Sequence, residues 1–194
     1  MKHFIYFSKS AVTSGKALSD NTLMRAGRMD IAIHSFIQGV FLSHNFRKDV
    51  IFHFIFYGMP DPPKHIEMQI TDELEISKKD VANLIKKMLY KYKKNEKKEI
   101  FPKCFVEKKS LIKVVNELLE KGNEIFVLDK KGEDIRTQEI SPNCVFIFGD
   151  HEGLPKEEFK KLKQIAKLTS IGNQIYFASQ TIAVVNNELD YRGI

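Results

Sequence analysis

Cys144-Val145-Phe146-Ile147-Phe148-Gly149-Asp150-His151-Glu152-Gly153 is the stretch on which the fold turns. Five apolar residues without alternation describe a strand buried on both faces, and the glycine-bounded polar turn after it leads into Leu154-Pro155 and a helix with an acidic start. Glycines let the backbone come close to a ligand, and free N–H groups ahead of a helix can meet acceptors. The same pattern also describes an ordinary strand-to-helix turn, and spacing alone leaves both readings open.

Working outward, the chain repeats this alternation. Lys2 to Phe7, Val50 to Tyr57, His65 to Ile70, Ile125 to Leu128 and Thr169 to Ile171 read as strands. Apolar residues at helical spacing from Arg28 to Leu42 give a first helix. Ser77 as N-cap opens a second through Leu89, Ser110 a third ending at Gly122, Pro155 at N1 a fourth, and Ala178 to Leu189 is the last. Lys130-Lys131-Gly132 reads as a turn, Gly58 to Pro63 forbids regular structure, and Ser8 to Asn21 is polar without an apolar period. Lys86 to Lys109 holds ten Lys against three Glu, and within it Lys91 to Glu99 is the expected mobile loop. Such a run reads as a solvated face or as a phosphate-tracking loop. Strands apolar along their length and separated by helices predict a mainly parallel α/β sheet, whose ligands sit beyond the carboxyl ends of the strands.

Composition narrows the function. The 194 residues, 43% hydrophobic, suit one folded domain, and the formal charge of +6 favours a polyanionic partner. No apolar run is long enough for a bilayer, and Phe4-Ile5-Tyr6-Phe7 is too short for a signal-peptide core, so a soluble cytoplasmic protein is expected. Cys104 and Cys144 have no zinc spacing and read as small buried thiols, and no metal is expected. The phosphate-loop, Gly-x-Gly-x-x-Gly, Gly-x-Ser-x-Gly and His-Glu-x-x-His patterns are all missing. That argues against an ATPase, a dinucleotide enzyme, a serine hydrolase or a zinc protease. Arg28 with Asp30, and Arg47 with Asp49, read alone as surface ion pairs, His44 as a helix-terminal histidine, and Ser170-Ile171-Gly172-Asn173 as a turn.

Six segments in order carry a resemblance: Gly27-Arg28-Met29-Asp30, Phe41 to Val50, Tyr57-Gly58-Met59-Pro60-Asp61-Pro62-Pro63, Gly132-Glu133-Asp134-Ile135, Val145 to Leu154, and Asn187-Glu188-Leu189-Asp190. Together they resemble the tRNA pseudouridine-54 N1-methyltransferase family of the SPOUT superfamily, from about residue 27 onward. The resemblance implies one domain over 1–194 with a C-terminal trefoil knot at about 124–194, an exception to the unknotted rule. It also implies a homodimer, S-adenosylmethionine in the knot, and the T-arm of tRNA as partner. By position, Leu128 and Gly149 line the cofactor pocket, Ile171, Gly172, Asn173, Gln174, Ile175 and Tyr176 form the loop across it, and Thr181 stands where the family has a pocket cysteine. On the substrate side, Asp49 is the candidate base or orienter, Arg28 and Arg47 the ring or phosphate contacts, and Asp61 a further candidate. A dimer-stabilising ion pair is the competing reading of Arg47 and Asp49.

Two departures bear on the substrate. Thr181 replaces the cysteine, and Ser19 to Ala26 lacks the Leu-Pro-Gly turn of archaeal members. Lys130 to Thr137 and Leu189 to Gly193 look closer to a bacterial branch. The rival readings are a SPOUT methyltransferase for another RNA nucleoside and a catalytically inactive RNA-binding homologue. A classical Rossmann methyltransferase would carry its glycine turn after the first strand rather than in the last third.

Overall fold

Each parallel strand buries alternate residues on opposite sides, and the two sides differ in kind. In the computed structural model, which describes residues 1–18, 23–74 and 76–194, the chain forms eight strands and five α-helices. They are β1 (Lys2–Ser8), α1 (Met29–Val40), β2 (Val50–Phe56), β3 (Lys64–Met68), α2 (Val81–Tyr90), β4 (Lys98–Phe101) and β5 (Cys104–Glu107), followed by α3 (Leu111–Glu120), β6 (Glu124–Asp134), β7 (Cys144–Gly149), α4 (Lys156–Leu162), β8 (Lys167–Ser170) and α5 (Ala178–Tyr191). One sheet holds all the strands in the order β4-β5-β3-β2-β1-β7-β6-β8. The run from β2 to β8 is parallel, as the apolar strands predict, while β3, β5 and β4 add an antiparallel edge.

One face is aromatic. Phe4, Tyr6, Phe52, Phe54, Phe126, Phe146 and Phe148 lie under α1, α2 and α5, with Phe36 of α1 edge-on to Phe52 at 5.3 Å. The other is mainly aliphatic, with Ile5, Ile55, Val127, Val145 and Ile147 under Leu111, Val114, Val115 and Leu118 of α3 and Leu162 of α4. Truncating one of these buried rings to Ala would cost about 3–5 kcal/mol. Cys104 and Cys144 are buried free thiols.

Several local expectations need correcting. Lys98 and Glu99 are not loop: they begin β4, where Lys98 pairs with Val106 and Glu99 with Phe105 of β5. Lys130-Lys131-Gly132 does not end a strand. It lies in a bulge within β6, and Thr169 of β8 is the partner of both Leu128 and Glu133. Ser77 does not cap α2; Asp80 does, its carboxylate accepting the Ser77 N–H (2.9 Å) and Oγ–H (2.6 Å) in the turn before the helix. Pro155 is the cap of α4 rather than its first residue. Between β1 and α1 the polar stretch makes a single 3-10 turn at Gly15–Ala17. The part of that stretch from Ser19 to Asn21, and the first half of the Ser19 to Ala26 departure, lie outside the described residues.

A file of polar side chains crosses the aliphatic face. His3 Nδ1 meets His53 Nε2 at 2.9 Å, His53 Nδ1 meets His65 Nε2 at 2.9 Å, and His65 Nδ1 meets Glu107 Oε1 at 3.0 Å. Because a carboxylate only accepts, the end of the file is fixed, with His65 donating from Nδ1 to Glu107. The contacts tie β1, β2, β3 and β5 together in one register.

Candidate active site

A cavity of about 580 Å³ opens beyond the carboxyl ends of β6 and β7, within the size range of small-molecule sites. β6 contributes Leu128 and, from the start of its bulge, Asp129; β7 contributes Phe148 and Gly149. The turn after β7 adds Asp150, His151, Gly153 and Leu154, and α4 adds Phe159. Opposite them lie Ile175, Tyr176 and Phe177 with the first turn of α5, and Ile31 reaches in from α1. The apolar members suit a flat heteroaromatic ring, while Asp129 and Asp150 supply carboxylates for a cationic group.

The turn that shapes one side is tight. A Cβ on Gly149 would lie 2.8 Å from backbone atoms of Gly153, and Asp150 and Gly153 form an isolated bridge. Any side chain at 149 would push this turn outward. Asp150, 8% exposed, accepts from Ser8 Oγ (2.7 Å), from the Lys9 N–H (3.1 Å) and from the Glu152 N–H (2.8 Å). On the far side, the Gln180 side chain accepts the Phe177 N–H at 3.0 Å and fixes the start of α5. Thr181 Oγ1 donates to the Phe177 carbonyl at 3.1 Å, so its hydroxyl is spent on the helix backbone.

Of the expected cofactor residues, Leu128, Gly149, Ile175, Tyr176 and Thr181 line the cavity. Ile171, Gly172, Asn173 and Gln174 do not: Ile171 packs on the aromatic core, and the next three residues carry the chain toward the cavity edge. Arg28 lies beside the site, one turn before Ile31. It occupies the left-handed region at φ 60° and forks onto Asp30, Nε to Oδ1 at 3.1 Å and Nη2 to Oδ2 at 3.0 Å. The hydrogen bond from Arg28 holds the Asp30 carboxyl below the usual carboxylate range. Nearby, the buried Tyr6 hydroxyl has no hydrogen-bond partner among the described residues; burial, then the Asp150 and Asp30 charges, raise its pKa.

The remaining substrate-side candidates do not reach the cavity. Asp61, on the loop after β2, is held by Lys108 and by Lys64 (2.6 Å), and these two bonds keep its carboxyl below the ordinary range. Asp49 and Arg47 precede β2, at the amino ends of the parallel strands. Asp49 pairs with Lys2 at 2.8 Å, and Arg47 forks onto Asp190 of α5 with both bonds at 2.5 Å. The seven residues of β2 put about 20 Å between them and the carboxyl-end edge. Both ion pairs form within one chain, and strand polarity sets these residues away from that chain's own cavity.

Asp129, Phe148, Asp150, Leu154 and Phe177 carry no site role of their own in the sequence reading, although each neighbours a residue that has one or belongs to a quoted motif. Ile31 and Phe159 carry no local signal, because only packing brings α1 and α4 to the cavity. The cluster with the donor types for a metal is His53, His65 and Glu67, whose ligand atoms lie within 4.8 Å of one another. Its two histidines face each other head to head, with near-coplanar rings (14°) and centroids 5.2 Å apart. That is the geometry of a hydrogen bond rather than of two lone pairs converging on one ion.

Comparison with known proteins agrees with this geometry. The family model described as "Putative SAM-dependent RNA methyltransferase" matches residues 1–194. The chain is 33% identical to the tRNA (pseudouridine(54)-N(1))-methyltransferase of Methanococcoides burtonii, over 98% of this chain and 96% of that one. It is 34% identical to the protein of that name from Methanocella arvoryzae, over 99% and 100%. A "Putative pseudouridine methyltransferase" of Vibrio campbellii is 30% identical over 99% of both. Among solved structures, Archaeoglobus fulgidus Nep1 bound to S-adenosylhomocysteine matches in fold with a TM-score of 0.64 at 13% identity, covering 100% of this chain and 99% of that one. Matched along its full length by the family model, and at 30% or more by curated relatives, the chain belongs to this family of SAM-dependent RNA methyltransferases.

Proposed function

We propose that the chain transfers the methyl group of S-adenosylmethionine to N1 of pseudouridine 54 in the T-loop of tRNA, acting in the cytoplasm as a homodimer of single-domain subunits. The observation that carries this reading is the cavity at the ends of β6 and β7, in a chain whose relatives named for that reaction align along its whole length. The cofactor lies in this cavity, and the C-terminal part, about 124–194, forms a trefoil knot around it. Support for the knot comes from the path of the chain: it leaves the sheet edge at β8, passes the cavity, and returns over the aromatic face. There Asn186 of α5 donates to the Gln38 carbonyl of α1 at 3.0 Å. Among the described residues, no helix is long and apolar enough to cross a membrane.

Bound S-adenosylmethionine supplies a methyl group on a sulfonium. Leu128, Phe148, Leu154 and Phe159 would offer apolar contact to its adenine, and Asp129 and Asp150 would give the wall that meets its cationic part a negative charge. Pseudouridine presents N1–H, so the attacking nitrogen must lose its proton, which passes to water. Asp30, with its carboxyl held low by Arg28, is a weak base; the contribution left to the pair is electrostatic. Arg28, oriented by Asp30, stabilises negative charge developing on the ring, and fixed placement of the ring beside the methyl supplies much of the rest.

The test is transfer of labelled methyl to two matched T-arm RNAs, one with pseudouridine at 54 and one with uridine. Label in the pseudouridine RNA alone is expected. Label in neither, with S-adenosylhomocysteine still bound, moves the activity to another RNA nucleoside, as Thr181 in place of the family cysteine would suggest. Loss of cofactor binding as well would make the chain an RNA-binding homologue without chemistry.

A further inference from the structure

Ser8 and Asp150 end neighbouring strands, and their contact starts a hydrogen-bonded path leading away from the cavity. Ser8 Oγ donates to Asp150 Oδ2 and accepts the Ala11 N–H at 3.1 Å, which curls residues 8–11 into a turn. That turn holds the approach to α1: Val12 N–H donates to the Ala26 carbonyl (3.2 Å) and Ser10 Oγ to the Gly27 carbonyl (3.3 Å), immediately before Arg28. It also holds the proline-rich loop after β2. Gly58 N–H donates to the Ala11 carbonyl at 3.0 Å, and Thr13 Oγ1 donates to the Gly58 carbonyl (2.8 Å) while accepting the Asp61 N–H (2.9 Å). The fit leaves no slack, since a Cβ on Gly58 would lie 2.3 Å from the Ser10 carbonyl oxygen.

Asp150 is suited to anchor this path and unsuited to act on a substrate. Three donors already converge on its two oxygens, and it is almost fully buried. A carboxylate accepts at both oxygens, whereas an amide would turn an NH₂ toward one of those donors. Leaving a buried donor unmatched is what makes such a clamp sensitive to a single atom. We infer that Asp150 is a positioning residue: through Ser8 it sets the loops carrying Arg28 and Asp61 relative to the cofactor cavity. The catalytic consequence rests on the function proposed above; the mechanical coupling does not.

Ser8→Ala is the cleaner test, because Ser8 does not line the cavity; Asp150→Asn is the second variant and Ser8→Thr the rescue. Three readouts on the full chain are needed. Hydrogen exchange is expected to quicken in residues 9–13 and 58–61 and to stay unchanged in α3. Calorimetric affinity for S-adenosylhomocysteine should stay within about threefold in Ser8→Ala, while kcat on the pseudouridine RNA falls about ten- to a hundredfold, the range that misplacement by an ångström produces. KM for S-adenosylmethionine should hold, and Ser8→Thr should recover exchange and turnover together. Unchanged exchange in 58–61 in both Ser8→Ala and Asp150→Asn overturns the coupling, as does cofactor affinity falling in step with kcat in Ser8→Ala. If the wild type methylates neither RNA, the functional reading fails and the exchange data alone still decide the coupling.

Discussion

Mild acid should unfold this protein more readily than its carboxylates would suggest, and the histidine file sets the amount. His3 is pushed down to about 4, mainly by burial, with Glu67 opposing and the amino terminus and Lys121 adding to the shift. His53 is held well below the ordinary imidazole value by burial and by its two histidine neighbours. A proton on His53 would also put a positive charge between two other imidazoles in a buried file. In the unfolded chain both groups titrate near 6.5, so between pH 7 and pH 5 the unfolded state binds protons that the folded state refuses. Stability is therefore full above about pH 6.5 and falls as the pH drops, by about 2 kcal/mol at pH 5 for His3, with His53 adding a loss in the same direction. Glu107 carries the loss further down. Burial alone would raise its pKa, but hydrogen bonds from His65 and Lys109 bring it to about 2, so its contribution disappears between roughly pH 4.5 and 2. Urea unfolding at pH 7, 6 and 5 gives the slope directly, and His53→Phe should reduce the pH 7-to-5 difference. A wild-type difference under about 1 kcal/mol would mean that the rings ionise freely in the fold, and the argument from their burial would be wrong.

Three further outcomes follow from the site. Gly149→Ala, which drives a Cβ into the Gly153 backbone, should weaken S-adenosylhomocysteine binding at least tenfold by calorimetry; unchanged affinity would place the cofactor elsewhere. Arg28→Ala should lower methyl transfer about a hundredfold, whereas Asp49→Asn, at the wrong end of the strands, should leave turnover within about twofold and cost no more than about 1 kcal/mol of stability. The opposite pattern in those two assays would reverse the assignment. Lys93 and Lys94 are exposed ahead of β4, while Lys97, Lys108 and Lys109 have carboxylate partners. Replacing Lys93 and Lys94 with Ala should therefore flatten the slope of log affinity for tRNA against log salt by about 1.5, and an unchanged slope would leave them in solvent.

The parallel half of the sheet was legible because strands buried on both faces have to be apolar throughout: Phe4 to Phe7, Phe52 to Phe56 and Val145 to Phe148 advertise themselves. The antiparallel edge was not. Lys98–Phe101 is four residues, Lys-Glu-Ile-Phe, too short to show the alternation of a half-exposed strand, and its two charges sit inside a longer lysine run. The β6 bulge was hidden for a different reason. Lys130-Lys131-Gly132 has turn chemistry, and only its partner β8 shows that the strand resumes at Glu133.

The candidate site shows most sharply what a sequence does and does not declare. Asp49 attracted a catalytic role because it is charged and sits in a matched motif, yet it comes immediately before an apolar strand, and Asp150 comes immediately after one. In a parallel sheet that difference alone separates the two ends of the molecule, by the full rise of β2. Strand polarity thus could have ranked Asp150 above Asp49 from the sequence. Pairing was legible only where the partners are near neighbours, as for Arg28 and Asp30. That Asp150 is saturated by Ser8, Lys9 and Glu152, and that Lys108 reaches Asp61, rest on side chains distant in sequence or on backbone geometry. They redistribute the roles: Asp150 holds loops, Asp30 orients an arginine, and the two carboxyls held low by their partners, Asp30 and Asp61, are weak bases. The proton on N1 must then be lost from a ring whose negative charge Arg28 stabilises, which is why removing that one guanidinium should cost more turnover than neutralising Asp49 or Asp61.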